Sequence, residues 1–80
     1  MKAKVIVKLK AAVHDPQGET ISNALKRMDY DQVKDVRQGK FFELTLEADS
    51  EEEATKLARE IAERVLSNPV LEVFDVEVTS

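Results

Sequence analysis

A chain of 80 residues can build one hydrophobic core, so we expect a single domain over residues 1–80. Its composition, 42% hydrophobic and 35% charged residues, is typical of a globular chain and not of a disordered one. The formal net charge of −4 argues against nucleic acid as a partner, and no apolar run approaches the ~20 residues of a membrane span. The sequence lacks both cysteine and the apolar segment of a signal peptide, so we expect a cytoplasmic protein. Small domains without disulfides often gain stability by oligomerising.

The first predicted element is a half-buried β-strand, because residues 3–13 alternate between apolar and mostly basic side chains. We interpret the lysine row as a solvated face or as protection of an edge strand, with an anion-binding stripe as the alternative. Ile6 interrupts this row. Apolar residues on both faces at mid-strand indicate that another subunit covers part of this strand.

Asp15, Pro16, Gln17 and Gly18 form a turn and a helix start. Asp15 suits the cap position and Pro16 suits the first helical position. Gly18 is about 1 kcal/mol less favourable than alanine inside a helix, so we expect another group to approach its backbone closely. An apolar stripe at spacings of three and four predicts the helix that follows and ends at residues 29–31. The stripe consists of Ile21, Ala24, Leu25 and Met28.

The middle of the chain is predicted to form two strands. Val33–Arg37 is interpreted as a short strand, Gln38-Gly39-Lys40 as a tight turn, and Phe41–Ala48 as the next strand. One long strand that bends at Gly39 is an equally acceptable interpretation. Phe41 falls on the polar face of its strand, which again indicates apolar surface that needs a cover.

A second helix and a last strand complete the chain. Ser50 and Glu53 form a capping box ahead of an apolar stripe that runs to Val65. Asn68-Pro69 ends this helix. Residues 70–78 are predicted as the last strand, apolar on both faces, which an oligomer interface would explain. The order β-α-β-β-α-β predicts an α+β, ferredoxin-like variant: an antiparallel sheet with two helices on one face.

The residues alone indicate no catalytic, cofactor-binding or metal site. His14 is the only histidine, and no serine or cysteine is placed for it to activate. The three glutamates after Ser50 point about 100° apart on a helix, so they suit helix capping better than metal binding. Residues 38–40 lack the spacing of a P-loop.

Three stretches, in their order and spacing, resemble the PurS family, the small subunit of bacterial and archaeal phosphoribosylformylglycinamidine synthase. The first is Asp15 to Gly18 after a lysine-rich strand, and the second is Gly39-Lys40 followed by Phe42-Glu43-Leu44. The third is Asn68-Pro69-Val70-Leu71-Glu72. Asp29 departs from the pattern, because a glycine commonly follows the first helix at this position.

The resemblance implies a role in purine biosynthesis. It implies a complex that uses glutamine, ATP and Mg, in which a glutaminase subunit, PurQ, makes ammonia and a synthetase subunit, PurL, consumes it. The small subunit would be an adaptor that forms a homodimer or homotetramer and bridges the other two, with no catalytic residue or cofactor of its own.

By position, the residues expected to shape turns and contact partners are Asp15, Pro16, Gln17, Gly18, Gly39, Lys40, Phe41, Asn68 and Pro69. Ordinary cap and turn roles are the alternative for each of them. The alternative function is a regulatory module of the ferredoxin-like ACT type, which binds a small molecule.

Overall fold

The computed structural model describes residues 1–79. It contains strands β1 (Lys2–Leu9), β2 (Gly39–Thr45) and β3 (Glu72–Thr79). Helix α1 spans Pro16–Arg27, and helix α2 spans Glu51–Ile61 and continues into a π-helical turn over Ala62–Leu66. The strands form one antiparallel sheet in the order β2-β1-β3. The predicted α+β class, with an antiparallel sheet and two helices of ferredoxin-like type, is confirmed.

The core lies between one face of the sheet and α2. Alternate residues of β1 point to this face and meet small residues of the helix, because alanines let a helix approach a sheet closely. The fully buried residues are Ala3, Val5, Val7, Ala54, Ala58 and Ala62. The predicted capping box starts α2: the Glu53 amide donates to Ser50 Oγ at 3.1 Å, and the Glu53 carboxylate accepts from the Asp49 amide at 3.1 Å.

The opposite face of the sheet, which we call the open face, has no helix over it. The lysine row of β1 lies here, as predicted, and Ile6 stands within it at 48% exposure. Phe41 is directly opposite Ile6 on β2 and is 55% exposed. The open face is therefore charged at most positions and apolar near its middle.

Within residues 1–79 only α2 covers the sheet, so α1 does not meet the expectation of two helices on one face. Helix α1 extends away from the sheet in a molecule that measures 50 × 26 × 14 Å. Its apolar stripe is incompletely covered, since Ile21 is 41% and Met28 is 64% exposed. Helix α1 packs instead against the segment that leads back to β2, where Gly18 lies under the carbonyl oxygen of Val36. We call α1 together with residues 28–38 the arm.

The predicted hairpin at residues 38–40 is wrong, and Val33–Arg37 forms no strand with any part of residues 1–79. Residues 33–38 run into β2 without a turn. The tight turns that close hairpins need positive φ angles, and Gly39 does not have one. Gly39 instead lies in the sheet opposite Lys8, where an added β-carbon would be 2.6 Å from the Val7 carbonyl oxygen. The glycine serves close strand approach, and the continuous strand of the alternative interpretation begins only here.

Asp29 follows α1 at the position where the family commonly has a glycine, and its backbone conformation explains that preference. Asp29 is the one non-glycine residue with positive φ, 68°, among residues 1–79. The backbone therefore adopts the left-handed conformation that ends many helices and that glycine occupies without steric cost.

Candidate functional site

Asp15 joins the start of α1 to the segment before β2. Its Oδ1 accepts a hydrogen bond from the Gly18 amide at 2.9 Å, which is the predicted helix cap. Its Oδ2 accepts a second bond from the amide of Gln38, 23 residues away, at 2.7 Å. The side chains of Gln38 and Gln17 form a further bond of 2.7 Å beside it. One carboxylate therefore holds two backbone segments together.

The same hydrogen bonds lower the pKa of Asp15 below its ordinary value of 3.8. The largest cause is the bond from the Gln38 amide, followed by the bond from the Gly18 amide. Partial burial opposes the lowering of this pKa, and the charge of Arg37 assists it. The carboxylate is consequently ionised, and acts as an acceptor only, at neutral pH.

Position 18 requires a glycine because other groups lie close to its backbone. This close approach was predicted from the presence of a glycine inside a helix. An added β-carbon would overlap the carbonyl oxygen of Val36 and would lie 2.7 Å from Asp15 Oδ2. Both neighbours are fixed, one as backbone and the other by its hydrogen bonds. Residues 36–38 can pack against α1 only if position 18 lacks a side chain.

Lys40 connects the same end of the sheet to the last turn of the chain. Its Nζ lies 3.9 Å from Glu72 Oε2, across the central strand. The Glu72 side chain is only 13% exposed. Its other oxygen, Oε1, accepts from the Asn68 amide at 2.8 Å, while the Glu72 amide donates to the Asn68 carbonyl at 2.7 Å. Asn68 Oδ1 accepts from the Val70 amide at 3.0 Å, so this turn around Pro69 is closed by several short bonds.

The three family-like stretches therefore meet at one end of the sheet. A cleft of about 390 Å³ lies between them, lined by Asp15, Pro16, Gln17, Gly39, Lys40 and Glu72 among others. Phe41 is the exception among the candidate residues, because it lies on the open face opposite Ile6. Asn68 and Pro69 join the cluster through Glu72 and do not line the cleft.

His14 and Asp15 do not act as a pair. The His14 Nε2 lies 2.9 Å from Glu19 Oε2, and both side chains are mostly exposed. Among residues 1–79 there is no group of three or more histidine, cysteine, aspartate or glutamate side chains placed to hold a metal ion. No helix in that part of the chain has the length and apolarity needed to cross a membrane.

Sequence reasoning missed the residues that complete the cluster through their backbone. The Gln38 amide and the Val36 carbonyl belong to a segment that was predicted to be a strand and a turn. Main-chain groups leave no residue-type signal in a sequence. The only hint was the unfavourable glycine at position 18.

Comparison with known proteins gives matches over nearly the whole chain. The family model PurS, described as phosphoribosylformylglycinamidine (FGAM) synthase, matches residues 2–80. The PurS subunit of that synthase from Bacillus subtilis is 46% identical over 77 residues, which cover 96% of this chain and 90% of the relative. The PurS subunit from Mycobacterium leprae is 46% identical over 75 residues, covering 94% and 91%.

Solved structures agree with these matches. The structure of Bacillus subtilis PurS has a TM-score of 0.87 at 44% identity and covers 99% of this chain and 98% of that chain. A chain in the structure of PurLQS from Thermotoga maritima has a TM-score of 0.87 at 36% identity, with coverage of 95% and 93%.

Proposed function

Because the chain belongs to the PurS family of phosphoribosylformylglycinamidine (FGAM) synthase, we propose that it is the non-catalytic small subunit of that enzyme in purine biosynthesis. Its partners are a PurQ glutaminase subunit and a PurL synthetase subunit, which it bridges so that ammonia passes from one to the other. The similarity to a chain of PurLQS over 95% of this chain supports an assembly of this composition.

The observation that carries this proposal is the convergence of the three family-like stretches, with their polar groups bonded to one another. Both carboxylate oxygens of Asp15 accept hydrogen bonds from backbone amides. Glu72 accepts a hydrogen bond from one backbone amide and lies near the Lys40 ammonium group. Carboxylates used in this way position backbone segments, whereas a catalytic acid or base needs a free path to a substrate. The cluster is suited to shaping a surface that other subunits recognise.

We infer self-association from the sheet surface and the strand edge that the arm leaves uncovered. In a β-α-β-β-α-β domain two helices cover one sheet face, and a fourth strand borders the strand equivalent to β2. Here α1 lies away from the sheet, the outer edge of β2 is unpaired within residues 1–79, and Val33–Arg37 has no strand partner there. Each chain thus lacks what a second copy could supply.

The arm of one copy therefore completes the sheet of the other. Its residues 33–37 would pair with the free edge of β2, and its α1 would lie beside α2. This exchange would bury Ile21 and Met28, whose exposure in one chain is unusual for an apolar stripe. The proposed unit of assembly is a homodimer, from which a homotetramer can form.

Light scattering tests the exchange. A dimer is expected at micromolar concentration, and Ile21→Glu should shift it toward monomer, because a charge would enter the buried stripe. Asn23→Glu is the matched control, since Asn23 is exposed on the same helix. A monomeric wild-type chain, or equal effects of the two substitutions, would contradict the exchange.

A mixing experiment tests the function itself. The chain is combined with the glutaminase and synthetase subunits of the same organism, and glutamine-dependent amidine formation is measured with and without it. Activity that requires the chain is expected. If the activity is indifferent to the chain, and the chain does not co-elute with either subunit, the adaptor function is wrong.

The alternative, an ACT-type regulatory module, makes a different prediction. It requires that an amino acid or nucleotide raise the melting temperature of the isolated chain by several degrees. A panel of such compounds that leaves the melting temperature unchanged would eliminate this alternative.

A further inference from the structure

The inner face of the sheet is incompletely covered over β2. Helix α2 makes its main contacts with β3 and β1. The Arg59 guanidinium carbon lies 5.3 Å from the centre of the Phe74 ring on β3, which identifies the side of α2 that faces β3. On β2 the inward residues Phe42 and Leu44 pack against the core but are only partly buried. We call the surface formed by Phe42, Leu44 and the adjacent side of α2 the groove.

The side of α2 that borders the groove is apolar. Consecutive residues of an α-helix are about 100° apart, so Leu57 and Ile61, each two positions from Arg59, point to the side opposite Arg59. Leu57 is 37% exposed and Ile61 is half-buried. These two side chains therefore form an apolar wall that the rest of the chain does not cover.

The π-helical turn after α2 extends this wall to Val65. Val65 follows the fully buried Ala58 by seven positions, and such residues share one face of an α-helix, so a regular helix would bury Val65. Here the Ser67 amide donates to the Ala62 carbonyl at 2.9 Å, five positions back, and Val65 is 76% exposed. Each residue of this wider turn rotates less about the axis, which shifts Val65 back toward the side of Ile61.

Helix α1 carries an uncovered apolar stripe of similar length. Ile21 and Met28 are exposed and seven positions apart, which is about 10.5 Å along a helix. Leu57 and Val65 are eight positions apart, about 12 Å. Because α1 lies away from its own sheet, the helix available to fill the groove is α1 of a second copy.

The charges at the helix ends favour an antiparallel arrangement. The last turn of α1 contains Lys26 and Arg27, and the first turn of α2 contains the glutamates of Glu51–Glu53. Antiparallel helices bring these opposite charges together, and the helix dipoles then also attract. A parallel arrangement would place Glu19, in the first turn of α1, beside the three glutamates.

We propose that α1 of a second copy docks in the groove antiparallel to α2, with Met28 beside Leu57 and Ile21 beside Val65. This inference rests on the arm exchange of the proposed function, and it names the receiving surface and the direction of the exchanged helix. It also assigns the π-helical turn a role, which is to present Val65 to the partner.

Two valines of equal exposure test the receiving surface. Val65→Asp places a charge in the groove, and Val70→Asp is the matched control, because Val70 is 73% exposed in the turn around Pro69, outside the groove. Both side chains are exposed in one chain, so both variants should fold, which circular dichroism checks. Sedimentation over a concentration series should show the dimer dissociation constant raised about tenfold or more by Val65→Asp and less than about twofold by Val70→Asp.

Disulfide formation tests the direction of the helix, since the chain has no cysteine of its own. A chain with both Met28→Cys and Leu57→Cys should form a disulfide-linked dimer under mild oxidation. A chain with Ile21→Cys and Leu57→Cys should yield at least about tenfold less, because an antiparallel helix holds these positions too far apart for a disulfide. The three single substitutions correct for links between like positions.

The outcomes separate this surface from the functions on which it rests. Equal effects of Val65→Asp and Val70→Asp, or preferential linkage of the Ile21→Cys and Leu57→Cys pair, would overturn the proposal. A disulfide within one chain would show that α1 fills its own groove. A wild-type dimer that links in neither double variant would overturn this surface alone, whereas a monomeric wild-type chain would also overturn the arm exchange. The adaptor function is tested separately by the mixing experiment.

Discussion

Substitution of Gly18 by alanine tests the contact on which the arm depends. The β-carbon added by Gly18→Ala would overlap the Val36 carbonyl oxygen and would stand 2.7 Å from Asp15 Oδ2. Neither neighbour is the flexible end of a long side chain. Relief of the overlap requires the 36–38 segment to move away from α1, and this movement breaks the hydrogen bond from the Gln38 amide to Asp15.

Two effects of opposite sign decide the magnitude. Alanine favours the helix over glycine by up to about 1 kcal/mol. Overpacking of a fixed site costs about 1–3 kcal/mol, and the lost hydrogen bond adds to this cost. We therefore expect the contact between α1 and residues 36–38 to be destabilised by about 2 kcal/mol, although helix propensity alone predicts stabilisation.

Amide hydrogen exchange measures this local effect directly. Exchange at Gln38 and at position 18 should become about 30-fold faster in Gly18→Ala, which corresponds to about 2 kcal/mol of local opening. Asn23→Ala, an exposed change in the same helix, should leave these amides protected. If Gly18→Ala were more stable than the wild type, with unchanged protection of the Gln38 amide, the close-contact reasoning would be refuted.

Three further predictions concern stability. Asp29→Gly should raise the free energy of unfolding by about 0.5–1 kcal/mol, because glycine adopts a φ of 68° without steric cost, whereas Asp31→Gly should not; denaturant titration compares the two. The lowered pKa of Asp15 means that its contribution to stability is complete above the unfolded pKa of about 3.8 and is lost as pH falls through the folded pKa. The stability advantage of the wild type over Asp15→Asn should therefore shrink in acid and be constant near neutral pH; a constant difference down to a pH of about 2 would contradict this. Val7→Ala should cost about 2–3 kcal/mol and Ile6→Ala about 1 kcal/mol, because Val7 is fully buried and Ile6 is 48% exposed; equal losses in thermal unfolding would contradict the assignment of the two faces.

Predictions from sequence were accurate where the cause is local. The cap at Asp15 and the capping box at Ser50 depend on residues three positions apart, and both are present. The alternation of β1 correctly assigned its buried and exposed faces. Even the close approach at Gly18 was predicted, because glycine inside a helix is unfavourable unless contact requires it.

Predictions were less accurate where the structure depends on segments that are far apart in the chain. Gly39 was placed in a turn because glycine permits turns, but the position faces β1, where space decides the residue. Residues 33–37 have the pattern of a strand, but they run into β2 without a turn and do not fold back along its free edge. The pattern describes what a segment can do, and the availability of a neighbour determines what it does.

The sequence by itself determined both helices, the first and last strands, the α+β class and the resemblance of three stretches to one family, because periodicity, capping and motif spacing act over a few residues. Only the tertiary structure decided that these stretches meet at one end of the sheet, that α1 does not cover its own sheet, and that Ile6 and Phe41 lie side by side among charged residues on the open face. These features depend on strand register and on contacts between residues far apart in the chain, such as the bond from Gln38 to Asp15 across 23 positions. Such contacts arise from the packing of the whole chain and are not encoded in any single segment.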